Sequence, residues 1–175
     1  LVAASDSRGI LHDPNGLDID ALADVKKAGG SVSEYANKGN SGHNDIISTD
    51  CDILIPAARP DVITDKNVDS IQAKLILQGA NIPATLSAEK RLHERGVLSI
   101  PDFIANAGGV ICAAMEYTGA GQPAAYDAIR EKLRTNTQAV LDGMERDKVL
   151  PREAAFSLAH SRLAKAMELR RWSIH

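Results

Sequence analysis

The sequence predicts an α/β fold, a doubly wound, mostly parallel sheet with flanking helices, and three observations carry that expectation. Aromatic residues make up only 3% of the chain, so the core must be built from Ala, Ile, Leu and Val packed through small residues, which suits helices lying on a parallel sheet. Short apolar runs alternate with amphipathic stretches in the strand, helix, strand order that parallel pairing requires. Each apolar run also closes in a loop of small residues with one or two polar ones, and in a parallel sheet such loops share one edge.

Taken in order, residues 1–4 (LVAA) read as a buried strand ending in the polar turn 5–9. Residues 12–16 read as a loop. Between 18 and 28, Ile19, Leu22, Ala23 and Val25 fall at helical spacing until Gly29 and Gly30 stop the helix. The Asn-, Gly-, Ser- and Lys-rich stretch 35–44 reads as a loop. Residues 52–58 (DILIPAA) form a second buried strand, and Thr64 is placed to cap a short helical turn. A third strand covers 74–78 (KLILQ), a helix covers 86–95 with Gly96 as its stop, and a fourth strand covers 97–100 (VLSI). After a loop over 103–109 the chain reads as helical over 110–117, 124–146 and 152–171, the last two long enough to cover the sheet. No internal repeat or low-complexity tract is present.

At 175 residues the chain is one domain of ordinary size. Its 44% hydrophobic and 25% charged residues are the balance of a soluble globular protein, neither disordered nor a membrane span. The net charge of -3, with Lys and Arg spread along the chain, offers no platform for nucleic acid. Cys51 and Cys112 lack metal or disulfide spacing and read as packing thiols, and the five histidines are isolated, so no metal is expected and a cytoplasmic location fits best. The chain opens in an apolar run without an initiator Met, and so reads like a cut end.

Candidate site residues follow from the shared sheet edge. Asp6 closes the first strand, where a carboxylate can accept the ribose hydroxyls of an adenine nucleotide and repel a 2′-phosphate; it also reads as a turn or cap residue. Arg8 nearby could take a 2′-phosphate, so NAD is favoured over NADP without excluding it. Asn81 and Asn106 sit among Gly and Ala, where their amides can approach a ligand carboxamide, or can simply stabilise turns. Gly108 and Gly109, opening a helix, offer free amide donors.

Together, LVAASDSRGI, DCDILIPAA followed by VIT, LQGAN, LHERGVLSIPDFIANAGGV and the closing LAKAMELRR resemble the nucleotide-binding domain of the amino acid dehydrogenases acting on glutamate, leucine, phenylalanine and valine, the glutamate-specific members most of all. The resemblance runs in order over nearly the whole chain. It implies a Rossmann-like fold, incomplete at its N-terminus, over residues 1–175, and oxidative deamination of an L-amino acid to a 2-oxo acid and ammonia with NAD or NADP. In those terms Asp6 and Ser7 would meet the adenosine ribose, and Ala57 and Ala58 would pack near the adenosine. Asn81 and Asn106 would hold the nicotinamide end, and Val110 and Ala113 would line the pocket for the substrate side chain.

The departures are informative. Glutamate-specific members usually carry serine where Ala113 stands, and losing a charge-assisted hydrogen bond to a buried carboxylate costs about 1.5–3 kcal/mol, so a more apolar substrate competes with glutamate. Asp61 stands where Asn is common. The GxGxxG loop, its strand, and the substrate domain with its catalytic lysine and aspartate lie outside these residues, so the catalytic set is empty and the chain alone is expected to be inactive. In the 3-2-1-4-5-6 order that missing strand is central, so the strand at residue 1 is expected to stand apart from the others. A homo-oligomer is expected. Competing readings are a non-catalytic nucleotide-binding or regulatory module and, less favoured, a structural remnant.

Overall fold

A computed structural model describes residues 1–35 and 45–170. Three strands form a parallel sheet in the order β3 (Ile53–Leu54), β4 (Leu75–Leu77), β5 (Leu98–Ile100). The period of two sorts their side chains. Leu54, Ile76 and Ser99 lie in register on one face, and Leu75 with Leu98 and Leu77 with Ile100 on the other.

The first face is closed by α2 (Leu86–Glu94), whose Ala88 and Leu92 pack with Ile63, Val68, Ile71, Ile76 and Val97. Thr85 caps α2 by accepting from the Ala88 N–H at 3.2 Å, and Gly96 ends it at φ +77°. The second face is covered by α3 (Asp102–Ala105), α5 (Gln122–Asp147) and the start of α6 (Pro151–Arg170), through Ile100, Ile104, Val140, Ala154 and Ala155. Helices on both faces of a parallel sheet are the architecture the sequence predicts.

The first predicted strand needs correction. Residues 3–6 form β1 (Ala3–Asp6), which pairs antiparallel with β2 (Gly9–His12), a strand unread in the sequence. Only Ser7 and Arg8 separate the Asp6–Gly9 pair, and the Asp6 Oδ1 accepts the Arg8 N–H at 3.0 Å, a side-chain turn that folds the chain back on itself. Gly9 is required there, because a Cβ would stand 2.9 Å from that of Ser33. The hairpin is half-buried and packs with α1 (Ile19–Lys27) and the turn Val32–Glu34 around Leu11, Leu17, Leu22 and Val32. As expected, β1 stands apart: among the described residues no hydrogen-bonded ladder joins it to β3. Ile53 in β3 and Ile55 just after it are more than half exposed.

Other boundaries shift for identifiable reasons. Asp18 caps α1 from outside it. Thr64 opens a turn as predicted, its Oγ1 accepting the Lys66 N–H at 3.3 Å and its carbonyl the N–H groups of Asn67 and Val68, while Asn67 Oδ1 accepts the Thr64 N–H at 2.8 Å; the short helix Val68–Ser70 follows that turn and has Asn67 at its start. The loop predicted over 103–109 is mostly helical, holding all but the first residue of α3, because Pro101 supplies an extended residue whose carbonyl accepts the N–H groups of Ile104 and Ala105. The helix predicted from 110 is α4 (Gly108–Tyr117). α6 covers the sheet only with its first turns: from Phe156 to Glu168 every side chain except half-buried Leu158 is exposed. The loop predicted over 35–44 and Arg171 fall outside the described residues, except for Tyr35. No helix among those described is long and apolar enough to cross a membrane.

Candidate functional site

Parallel register brings the carboxyl ends of β3, β4 and β5 to one edge, and the loops there are joined to one another. The Ala80 N–H donates to the Pro56 carbonyl at 2.8 Å, and Gly79 lies so close to Ala57 that a Cβ would stand 3.1 Å from its Cβ. The Asp61 N–H donates to the Ile82 carbonyl at 2.9 Å, and the Ile63 N–H to that of Pro83 at 2.9 Å. Asp61 and Ile82 both adopt left-handed backbone, at φ +51° and +49°. That conformation favours Asn, Asp or Gly, which accounts for the residue type at Asp61; for β-branched Ile82 it is strained.

This edge carries four of the predicted nucleotide residues. Ala57 and Ala58 are exposed, with Ala57 beside Gly79. Asn81 and Asn106, 25 residues apart, meet directly: the Asn106 Nδ2 donates to the Asn81 Oδ1 at 2.8 Å. The pair leaves the Asn81 amide hydrogens and the Asn106 amide oxygen for a ligand, a donor and an acceptor side by side as a carboxamide requires. The cradle therefore fits the nicotinamide end of a dinucleotide, with small residues on the β3 side. Val110 and Ala113 lie one turn apart on α4 and both are exposed, Val110 to 77%.

Asp6 and Ser7 belong to a different neighbourhood. Ser7 is exposed in the hairpin turn. The Asp6 carboxylate accepts from four donors: Lys26 Nζ at 2.9 Å, the Arg8 N–H at 3.0 Å, the Val32 N–H at 3.0 Å and Ser31 Oγ at 2.9 Å. Lys26, then the backbone amides of Arg8 and Val32, hold its carboxyl well below the usual carboxylate range. Its acceptor sites are thus filled from within the protein, and ribose hydroxyls could enter only where Lys26, whose side chain is half-exposed, gives way. Arg8 is paired with Glu34 at 3.0 Å.

The lowered Asp6 pKa has a measurable consequence. Its stabilisation is fully present above the unfolded carboxylate value of about 3.9 and is lost as pH falls through the lower folded value. Asp6→Asn is expected to lower the melting temperature at pH 7, with the gap to the parent chain narrowing below about pH 4. A gap unchanged down to pH 2 would exclude the ionised carboxylate as its source.

Cys51 is half-buried against the cluster under α2, as a packing thiol would be, whereas Cys112 on α4 stands outside the described core clusters with its Sγ 3.8 Å from Glu116 Oε1. Burial, and then the charges of Asp50 and Asp52, push the Cys51 thiol up and disfavour the thiolate.

Sequence reasoning missed a buried polar cluster behind the site. Arg152 Nε donates to Glu89 Oε2 and its Nη2 to Glu89 Oε1, each at 2.6 Å, and Nη2 also reaches Gln78 Oε1 at 3.0 Å. Gln78 Nε2 donates to Glu89 Oε1 at 2.6 Å and Ser99 Oγ at 3.1 Å. The guanidinium lies 5.6 Å from the Phe103 ring centroid. Asp102 Oδ1 stands 3.0 Å from Arg152 Nη2, in ion-pair contact off the line of a hydrogen bond, while Oδ2 accepts the Ile82 N–H at 2.9 Å. Burial pushes the Asp102 carboxyl up, but the Ile82 N–H and the Arg152 charge outweigh it and leave it below its ordinary value. A signal existed: Glu89 occupies a core position of α2, beside Ala88 and one turn before Leu92.

The chain matches the family model described as Glutamate/Leucine/Phenylalanine/Valine dehydrogenase over residues 1–171. It is 39% identical to a glutamate dehydrogenase of Aeropyrum pernix over 183 residues, covering 98% of this chain and 44% of that protein. It is 37% identical to an NAD-specific glutamate dehydrogenase of Staphylococcus aureus over 179 residues, covering 99% of this chain and 43% of that one. In fold it is similar to the crystal structure of a hetero-hexameric glutamate dehydrogenase from Thermus thermophilus in its Leu-bound form, with TM-score 0.80 at 22% identity, over 99% of this chain and 42% of that chain. The chain spans less than half the length of these relatives.

Proposed function

The chain belongs to the glutamate/leucine/phenylalanine/valine dehydrogenase family, and we propose that residues 1–175 are the nucleotide-binding part of a longer, homo-oligomeric, cytoplasmic dehydrogenase. Its reaction is the oxidative deamination of an L-amino acid, glutamate or a more apolar one, to a 2-oxo acid and ammonia. The observation that carries this reading is the Asn81–Asn106 pair, seated at the carboxyl edge of a parallel sheet beside Gly79 and Ala57. NAD is favoured over NADP; bound, it accepts the hydride, and this chain's share is orientation.

In this reading Asn81 and Asn106 hold the nicotinamide end, Ala57 and Ala58 line the adenosine side, and Asp6 with Ser7 meets the ribose once Lys26 has moved. Val110 and Ala113 face the substrate side chain. The proton-transferring groups come from outside these residues. A regulatory, non-catalytic module remains the second reading, because the nucleotide-facing loops need no catalytic lysine.

The test is amino-acid-dependent reduction of NAD by the complete enzyme, with glutamate and leucine as paired substrates. Ala113→Ser is expected to raise kcat/KM for glutamate relative to leucine by about tenfold or more, the effect of one charge-assisted hydrogen bond. Turnover of neither substrate, with NADH still bound, would favour the regulatory module.

A further inference from the structure

Asp102 is bonded to both loops that carry the paired asparagines. Its carboxylate Oδ2 accepts the N–H of Ile82, the residue after Asn81, at 2.9 Å, and its backbone carbonyl accepts the N–H of Asn106 itself at 2.7 Å. Its other oxygen faces Arg152, which cannot swing away because Glu89 and Gln78 hold its fork and Phe103 lies beside it. Ile82 needs such a holder: a β-branched residue at φ +49° persists only where its surroundings fix it, and its own side chain is exposed. The strain is local to Asn81, and the brace comes from the first turn of the helix that ends at Asn106.

We infer that Asp102 is a positioning residue, setting the separation and orientation of the Asn81 and Asn106 amides through the two loops it bonds. This rests on the proposal that those amides face the nicotinamide end of the cofactor. The buried Arg152 cluster then acts as a fixed post behind the asparagine pair.

The experiment compares two ligands on the complete enzyme: NADH, and ADP-ribose, which keeps the adenosine and both phosphates but lacks nicotinamide. Asp102→Ala is expected to weaken NADH by about tenfold, the worth of a lost charge-assisted bond, and ADP-ribose by less than about twofold. Asp102→Asn keeps an oxygen for the Ile82 N–H and is expected to retain most of the NADH affinity. Ile82→Gly, a change at an exposed side chain, frees the same loop without touching the buried acid, and carries the test if Asp102→Ala does not fold. Equal weakening of both ligands, or of neither, overturns the positioning role. Asn106→Ala separates the two levels of argument. If it erases the preference for NADH while the Asp102 and Ile82 variants leave it intact, the positioning role fails alone; if it too leaves the preference intact, the asparagine assignment fails and the positioning role with it.

Discussion

Arg152→Ala is expected to remove about 3–5 kcal/mol of folding stability, because it strands a buried carboxylate. The Arg152 and Glu89 side chains are only 12% and 8% exposed, and their two bonds are supplemented by Gln78, which is fully buried. Without the guanidinium, Glu89 keeps only the Gln78 amide as partner, Gln78 loses a donor, and Asp102 loses its counter-charge. Arg152→Lys is expected to recover little, since an ammonium cannot supply the planar fork that meets both Glu89 oxygens. Adding Glu89→Gln to Arg152→Ala is expected to return part of the loss by removing the stranded charge. The check is the urea midpoint followed by circular dichroism. A loss below about 1 kcal/mol, the range of an exposed pair such as Arg130–Asp127, would show that the cluster is solvated in solution.

Leu92→Ala is expected to cost about 2–5 kcal/mol. Leu92 is fully buried where α2 meets the sheet, in the cluster that holds Ile63, Val68, Ile71 and Ile76. Those neighbours are β-branched and held by strands and turns on several sides, so the site has little freedom to collapse around the missing methyl groups. Its backbone carbonyl also accepts the Val97 N–H at 2.9 Å, which ties the end of α2 to the strand that follows. Leu163→Ala on the exposed part of α6 is the control, expected within about 0.5 kcal/mol of the parent. Equal urea midpoints for the two variants would contradict this assignment of the core.

How far the fold could be read in advance depended on whether its signals were local. The strands at 74–78 and 97–100 and the helix between them were legible because Gly96 marks the end of the helix and the apolar runs are unbroken. The hairpin was not. Its turn chemistry lies in the Asp6 side chain bonding two residues on, and its reason for folding back lies in Ser31 and Val32, some twenty-five residues away. The gathering of Asn81 and Asn106 at one edge was legible once the sheet was taken as parallel. Their direct bond was not, because it joins side chains of two loops 25 residues apart, and the loop of Asn81 runs on through a left-handed Ile82 that no rule would assign to a β-branched residue. Gln78, Glu89 and Arg152 lie far apart in sequence, and each alone reads as an ordinary polar residue. The exposure of α6 beyond Leu158 reflects a helix that outruns the surface it packs on, which helical periodicity does not measure.

The division into a local hairpin and a parallel sheet also sets an order for chain closure. β1 and β2 meet across a two-residue turn, a contact that forms on the microsecond scale with little entropy to overcome. Each step of the parallel ladder instead joins residues separated by about twenty positions, so β3, β4 and β5 can pair only after two long crossovers have closed. The loops of the candidate site are where the crossovers begin: Asp61 can meet Ile82 once the first has brought β4 beside β3, whereas Asn106 reaches Asn81 only after the second has brought β5 beside β4. Assembly of the ligand-facing edge is therefore a late event, and a nascent chain gains the Asn81–Asn106 pair only after β5 and the first turn of α3 have been synthesised.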